Sequence, residues 1–308
     1  MHYTFKQLRY FESALRHRSI ARAAEEMNIS QSSITAAIDV LEAAVGTQLF
    51  RRIPAKGIVP TDTGRDVGER TTRFLEQCRI FDSELMSIEG KPAGTLRIAC
   101  YAPTAPYVLP PLLKRLAARY PDIRIDLREG DMQSIADLLH SGNVDVALTY
   151  RTRIKADQPF LSLFRARPFV LLPSASPLVA KAALEMADLD GMPMVLLDLP
   201  STLSYFRDLF TRAGLEPRIV HTTQSSSVLR GMVGAHLGYS IMNIRGHADR
   251  FPEAGYVTRP LLGDVYEPEY GVAYAQEAQS SAVLRAVLEI SDDLIASGYF
   301  DQLMVRPE

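Results

Sequence analysis

Within the first fifty residues, apolar positions recur at helical spacing in three consecutive segments. The first predicts an amphipathic helix whose inward face is formed by Phe5, Leu8, Phe11 and Leu15. Ser19 is placed to cap a second, alanine-rich helix at Ile20–Met27, and Asn28 and Ile29 then form a turn. These two helices and the turn predict the first part of a helix-turn-helix unit.

The third segment predicts a helix whose first turn is polar. Ser30 is a suitable N-cap, and the apolar stripe that follows consists of Ile34, Ile38, Leu41 and Val45. The opposite face carries Gln31, Ser32 and Thr35 at the helix start. Recognition helices present polar groups to the major groove from this position, so the pattern favours a reader of double-stranded DNA.

A basic strand pair follows the third helix. Residues 49–53 and 56–61 have the pattern of a β-hairpin wing, with Arg51 and Arg52 on its first strand. A helical hairpin packed as ordinary core shows the same helix pattern and is the alternative. Because a preceding amphipathic helix and a basic wing are also present, we predict a winged helix-turn-helix domain at residues 1–60.

One long helix is predicted from residue 61 to residue 89. It spans roughly 42 Å at 1.5 Å per residue, and the Gly-Lys-Pro-Ala-Gly run at residues 90–94 ends it. Its apolar positions alternate in steps of four and three, as in a coiled coil: Val67, Thr71, Phe74, Cys78, Phe81, Leu85 and Ile88. Packing on the core of its own domain is the alternative, but the length and the polar far face favour self-association through residues 61–90.

After residue 94 the pattern alternates between strands and helices. Strands are predicted at residues 96–101, 123–128 and 144–149, and helices at residues 104–119 and 131–140. This order predicts parallel strands with right-handed crossovers.

A second region repeats the strand and helix plan. Its strands are predicted at residues 169–172, 194–197, 218–221 and 239–242, and its helices at residues 201–214 and 225–238. We expect crossings between the two regions near residues 161–163 and 267–275, and a last helix at residues 280–297 that returns to the first. Residues 91–308 thus form a two-lobed, periplasmic-binding-protein-like α/β domain, with lobe I at 91–161 and 267–308 and lobe II at 162–266.

The carboxyl ends of the predicted strands are the expected ligand site, as in other open α/β sheets. Side chains at these ends are Tyr101, Thr104, Thr149, Arg151, Ser201, Thr202 and Gln224. Three of these strand ends lead into helices that begin with Ser or Thr. Free N–H groups and the helix dipole at such a helix start favour a small organic anion. Simple helix capping is the alternative role of each such Ser or Thr.

Charge becomes informative only when it is counted locally. The 308-residue chain has a formal net charge of −2, whereas residues 1–60 contain eight Lys and Arg against five Asp and Glu, or +3. A local basic face suffices for DNA binding. No run of 18 apolar residues and no signal-peptide pattern is present, so a cytoplasmic location without membrane contact is expected.

No pattern of catalytic or metal-ligating residues stands out. The chain contains no GxSxG, HExxH, Walker A or GxGxxG motif, its six histidines are scattered, and its two cysteines do not make a disulfide framework. We therefore expect no enzyme activity, no catalytic residue, no metal site and no cofactor. A small-molecule-binding or enzymatic α/β protein with an accessory helical domain remains the alternative to a DNA-binding regulator.

Several motifs in one order make the chain resemble the LysR-type transcriptional regulators. They are LRYF at residues 8–11, SIARAA at 19–24, SQSSIT at 30–35, IDVLE at 38–42, GTQLFRR at 46–52 and PTDTG at 60–64. The family often has Arg or another polar residue after the position of Thr35, where this chain has Ala36. A DNA contact made by that polar residue is therefore not expected from Ala36.

The resemblance implies a ligand-responsive regulator that binds promoter DNA as a dimer or tetramer. The small effector is expected between the lobes, and RNA polymerase is an expected partner. The residues expected to contact DNA are Arg22, Ser30, Gln31, Ser32, Ser33, Thr35, Arg51 and Arg52.

Overall fold

The computed structural model describes residues 3–53, 57–86 and 91–307 and divides into two compact units, Met1–Leu85 and Met86–Glu308. The elements of the first unit are α1 Phe5–His17, α2 Ile20–Met27, α3 Gln31–Val45, β1 Phe50–Ile53, β2 Gly57–Pro60 and α4 Asp62–Met86. The two strands pair antiparallel, which confirms the predicted winged helix-turn-helix; residue 56 of the wing lies outside the described residues.

Side-chain caps set the starts of α2 and α3. Ser19 Oγ accepts a hydrogen bond from the N–H of Arg22, and Ser30 Oγ accepts one from the N–H of Ser33. The apolar faces of the helices and wing form one core, which includes Leu8, Phe11, Ala23, Ala24, Ile34, Ile38, Leu41, Leu49 and Ile58. Val45 is not part of it, contrary to the predicted stripe: it is the last residue of α3 and is 42% exposed.

An ion pair fastens α1 to α2. Arg16 Nη2 lies 2.6 Å from Glu26 Oε2, and the Ser13 hydroxyl donates to the same oxygen at 2.5 Å. Burial acts to raise the pKa of Glu26, but the hydrogen bonds from Arg16 and Ser13 outweigh it and lower the pKa to about 2. Glu26 is therefore charged at neutral pH and holds α2 to α1 through Arg16 and Ser13.

The first half of α4 packs on its own domain. Val67 and Leu75 contact the core of the unit, Thr71 is buried, and a Cβ at Gly68 would collide with the side chain of Leu15. Two residues of the predicted self-association seam therefore have little free surface in the single chain, because Val67 is partly buried against its own core and Thr71 is buried.

The second half of α4 presents some of its apolar side chains to solvent, while Ile80 in the same half is buried. Cys78 is half-buried, and Ile88 of the predicted seam lies outside the described residues. Three seam residues are exposed in the single chain, namely Phe74, Phe81 and Leu85.

Lobe I of the second unit is built on a five-stranded sheet. Its strands are β3 Gly94–Tyr101, β4 Ile123–Gly130, β5 Val146–Tyr150, β6 Phe160–Arg165 and β12 Glu269–Tyr274, in the order β4-β3-β5-β12-β6. Strand β3 runs parallel to β4 and β5, whereas β12 is antiparallel to β5 and β6. Its helices are α5 Ala105–Arg119, α6 Met132–His140 and α9 Ala282–Ala296.

Lobe II combines a three-stranded and a two-stranded sheet. Its strands are β7 Phe169–Pro173, β8 Pro193–Leu197, β9 Arg218–Thr223, β10 Ser240–Met242 and β11 Tyr256–Pro260, and its helices are α7 Thr202–Arg212 and α8 Ser226–Gly234. The orders are β10-β7-β11 and β8-β9, and a bridge between Met194 and Tyr239 joins the two sheets. The sequence pattern did not predict β11, which pairs antiparallel with β7.

One arginine, Arg167, connects the two chain segments that cross between the lobes. Arg165 still pairs with Glu269 in the sheet of lobe I, so the first change of lobe falls after Arg165 and not near residues 161–163. Arg167 then donates to Glu267 at 2.6 Å and to the carbonyl of Leu261 at 3.0 Å, both in the returning segment. The crossings are therefore held side by side.

The segment after α9 makes a third connection between the lobes. Phe300 packs on Phe164 of β6, with ring centroids 5.3 Å apart. The N–H of Arg245 donates to the Leu303 carbonyl at 2.7 Å, and Val305 belongs to a core cluster of lobe II. Helix α9 lies in lobe I as predicted, but the last residues reach lobe II.

Candidate functional site

The polar first turn of α3 is the candidate DNA-reading surface. Ser30 Oγ lies 2.8 Å from Ser32 Oγ and 2.9 Å from Ser33 Oγ, and Thr35 donates to the Gln31 carbonyl at 3.1 Å. These hydroxyls therefore already have local partners. Gln31 is exposed, and its side-chain amide takes part in none of the hydrogen bonds of the described residues. An amide offers a donor and an acceptor together, which is the combination that reads adenine in the major groove.

The three arginines expected to contact DNA lie on two different elements. Arg22 is on α2, whereas Arg51 and Arg52 are consecutive on β1 and therefore point to opposite faces of the wing. Arg52 lines the groove between the wing and α3, so Arg51 points away from it. The sequence pattern did not indicate the role of Glu42, whose Oε1 accepts a hydrogen bond from the N–H of Leu49 at 2.7 Å and fixes where the wing leaves α3.

A second candidate site is a cavity between the two lobes. Its empty space is about 550 Å³ when counted up to the open solvent. Apolar side chains such as Met132, Leu197 and Phe206 form much of its wall. The polar side chains that line it are Tyr101, Thr104, Tyr150, Thr152, Ser201, Thr202, Tyr205 and Asn243.

A hydrogen bond connects the lobes inside this cavity. Tyr101 Oη of lobe I lies 2.9 Å from Thr202 Oγ1 of lobe II, and both residues are buried. Burial raises the pKa of Tyr101 to about 12, although the hydrogen bond with Thr202 acts in the opposite direction. The phenol is therefore neutral at physiological pH. On the lobe I side, Thr104 Oγ1 lies 2.7 Å from Tyr270 Oη and donates to the Tyr101 carbonyl at 2.8 Å.

Asn243 connects the cavity wall to the first crossing. Its Nδ2 donates to the Ala166 carbonyl at 2.8 Å and to Tyr205 Oη at 2.9 Å. Burial raises the pKa of Tyr205, so this phenol also stays neutral. Asn243 therefore links a tyrosine of the cavity wall to the segment that joins the lobes.

Four predicted effector residues line the cavity and three do not. Tyr101, Thr104, Ser201 and Thr202 are brought together. The other three have different surroundings, and they are Thr149, Arg151 and Gln224.

The alternation of side chains along β5 explains why Thr149 does not line the cavity. It is fully buried on the face of β5 opposite to Tyr150, and Tyr150 is the residue that lines the cavity. The guanidinium of Arg151 lies over the Phe160 ring at 5.1 Å, so it is turned away. Gln224 is exposed beyond β9, which lies outside β8 at the sheet edge.

The chemistry of the cavity differs from the expectation of an enclosed anion. None of the described side chains that line it is Asp, Glu, Lys or Arg. Thr104 does not cap α5 through its side chain, and Ser201, at the start of α7, has a left-handed backbone (φ 69) and no side-chain cap. The lining instead suits an uncharged ring with hydrogen-bonding groups.

Two further features concern the described residues, 3–53, 57–86 and 91–307. These residues contain no group of three or more His, Cys, Asp or Glu side chains placed to hold a metal ion. None of their helices combines the length and the apolar character needed to cross a membrane.

Two family models match the chain. Residues 5–65 match the bacterial regulatory helix-turn-helix proteins of the lysR family, and residues 89–294 match the LysR substrate binding domain. The matched regions coincide with the winged unit and the two-lobed unit.

Individual relatives agree with these matches. The RuBisCO operon transcriptional regulator of Allochromatium vinosum is 29% identical over 79% of this chain and 80% of its own length. The crystal structure of HinK, a LysR family transcriptional regulator from Pseudomonas aeruginosa, is 29% identical, covers 95% of this chain and 99% of its own, and has a TM-score of 0.61. Full-length CbnR in complex with its target DNA, at 22% identity over 95% and 99% of the two chains and a TM-score of 0.57, shares the fold.

Proposed function

This chain belongs to the LysR family of bacterial transcriptional regulators, and we propose that it binds promoter DNA as an oligomer and is switched by a small molecule between its lobes. It is a DNA-binding regulator and not an enzyme. The observation that carries the proposed switch is the interlobe cavity, which Tyr101 and Thr202 bridge at 2.9 Å.

DNA recognition is assigned to the first turn of α3 and the wing. Gln31 reads a base edge, and the neighbouring hydroxyls of Ser32 and Thr35 support it with further contacts. Arg22, Arg51 and Arg52 contact phosphates, which gives position and salt dependence but little sequence choice.

Oligomerisation is assigned to the second half of α4. Phe74, Phe81 and Leu85 lie at spacings of seven and four, so they share one helical face, and all three are exposed in the single chain. Pairing of this face in two chains removes the apolar surface from water and brings two winged domains together. The modest charge of one domain also favours binding by two.

Effector binding is proposed to act through the lobe geometry. A ligand that replaces the bond between Tyr101 and Thr202 with its own contacts to both residues favours one arrangement of the lobes. Because the lobes and the winged domain belong to one chain, that arrangement changes how the oligomer meets its half-sites or RNA polymerase. The regulator is expected to act in the cytoplasm, where promoter DNA lies.

Footprinting on the DNA upstream of the chain's own gene tests this function. We expect two protected half-sites about one helical turn apart, with protection that weakens as salt rises. Absence of protection at low salt by the folded protein would contradict the proposal.

A further inference from the structure

A second, charged space adjoins the cavity, and we call it the vestibule. Thr152, Ser201 and Tyr205 line both spaces, so the two are continuous at these residues. The vestibule is also lined by Arg153, Asp208 and Arg212, among others. Arg153 ends the short 3-10 helix after β5 in lobe I, whereas the last two lie on α7 in lobe II.

The two arginines of the vestibule have no counter-ion in the described part of the chain. Neither Arg153 nor Arg212 takes part in an ion pair within 4.0 Å there, and Asp208 is not paired within that distance either. Some other exposed basic residues of the unit are paired, as Arg119 is with Glu289 at 2.6 Å. Two arginines and one aspartate leave the vestibule with a formal charge of +1.

The cavity favours an uncharged part of a ligand, whereas the vestibule favours an anionic part. The cavity is lined by tyrosines, aliphatic side chains and an amide, and an enclosed charge there would lose its hydration without a counter-ion. The vestibule is open to water and positive, so it suits a partly hydrated anionic group. One molecule that occupies both spaces is therefore uncharged at one end and anionic at the other.

We propose that the effector is a ring compound with one carboxylate, whose ring lies in the cavity and whose carboxylate lies between Arg153 and Arg212. This inference rests on the proposed effector role of the cavity. Because the arginines belong to different lobes, a carboxylate between them attracts both and favours the closed arrangement. The ring competes for the bond between Tyr101 and Thr202 at the same time, so both ends of the ligand act on the lobe geometry.

Matched pairs of acids and primary amides test the inference by isothermal titration calorimetry on the full chain. The probes are phenyl, 4-hydroxyphenyl, cyclohexyl and indolyl rings on spacers of one to three carbons, each as the carboxylic acid and as the amide. For at least one ring and spacer we expect the acid to bind about three- to tenfold more tightly than its amide, with a preference that shrinks as salt rises.

Charge-removing variants locate the carboxylate. We expect Arg153→Gln and Arg212→Gln each to reduce the acid preference, and the double variant to remove it while amide binding is retained. Lys155→Gln and Arg207→Gln are the matched controls, because both residues are exposed near the vestibule without lining it. These controls should keep the preference.

Each contrary result has a distinct meaning. Equal binding of acids and amides, unchanged in the double variant, overturns the vestibule as an anion site. Absence of binding by every probe overturns the inferred ligand class, while the footprint continues to test the regulator function by itself. Loss of acid preference in the controls as well would assign the effect to overall charge and would also overturn the inference.

Discussion

Removal of the Tyr101 hydroxyl is the most direct test of how the lobes are held together. In Tyr101→Phe the ring stays in place and only the 2.9 Å contact with Thr202 is lost. Thr202→Val removes the other partner with little change of volume. We expect both variants to unfold more easily and to sample an open arrangement of the lobes more often.

The expected loss in the free energy of unfolding follows from the burial of the Tyr101 and Thr202 hydroxyls and from the fact that each is the other's hydrogen-bond partner. Tyr101 and Thr202 are 3% and 6% exposed, so either single substitution leaves a buried hydroxyl without its partner. Such an orphan costs about 1–3 kcal/mol. Because both residues line the cavity, water can replace the lost partner, and we expect a value of about 1 kcal/mol, at the lower end of that range. The double variant should cost clearly less than the sum of the two single variants.

Urea unfolding followed by tyrosine fluorescence is a suitable assay. The chain has no tryptophan, and eleven of its thirteen tyrosines lie beyond residue 100, so the signal reports mainly on the two-lobed unit. Tyr299→Phe is the matched control, because its hydroxyl makes no hydrogen bond within the described part of the chain. It should change the free energy of unfolding by less than about 0.5 kcal/mol.

Additivity would refute the reasoning. If the two single substitutions sum to the effect of the double variant within about 0.3 kcal/mol, the hydroxyls do not stabilise each other. If Tyr299→Phe lowers the free energy of unfolding equally, the loss does not come from the hydrogen bond between Tyr101 and Thr202.

Three further predictions concern the winged unit and α4. Gln31→Ala should cost about 1–3 kcal/mol of binding to the cognate site but little on random DNA, and an equal loss on both in a gel-shift titration contradicts base reading. Phe81→Glu should shift the chain towards monomer in sedimentation velocity, because Phe81 is 58% exposed in the single chain, whereas Arg73→Gln, which changes the charge by the same amount away from this face, should not. Since the pKa of Glu26 is lowered to about 2 from 4.5, its stabilisation is complete above about pH 4.5 and is lost as pH falls towards 2; unfolding midpoints of wild type and Glu26→Gln should differ at pH 6 and converge near pH 2.

Local features made most helices predictable. Ser19 and Ser30 cap α2 and α3 where the sequence indicated, because a cap depends on residues within one turn of each other. The same applies to Asn28, whose left-handed backbone ends α2. The alternation of strands and helices similarly predicted a two-lobed domain.

The interlobe site was predictable only in part. Strand ends pointed to Tyr101 and Thr202, but the choice between Thr149 and Tyr150 depends on which face of β5 meets the cavity. Asn243 gave no signal at all, because its partners are the carbonyl of Ala166 and the hydroxyl of Tyr205, far away in sequence.

By itself the sequence determined the winged domain, the long helix and the two α/β lobes, because periodicity and caps act over a few residues. The tertiary structure alone decided which apolar side chains of α4 are covered, where the chain changes lobe and that the cavity is uncharged. It also decided that Val305, beyond the last helix, packs in lobe II. These outcomes depend on which distant side chains meet, and a pattern along the chain does not record the partners across space.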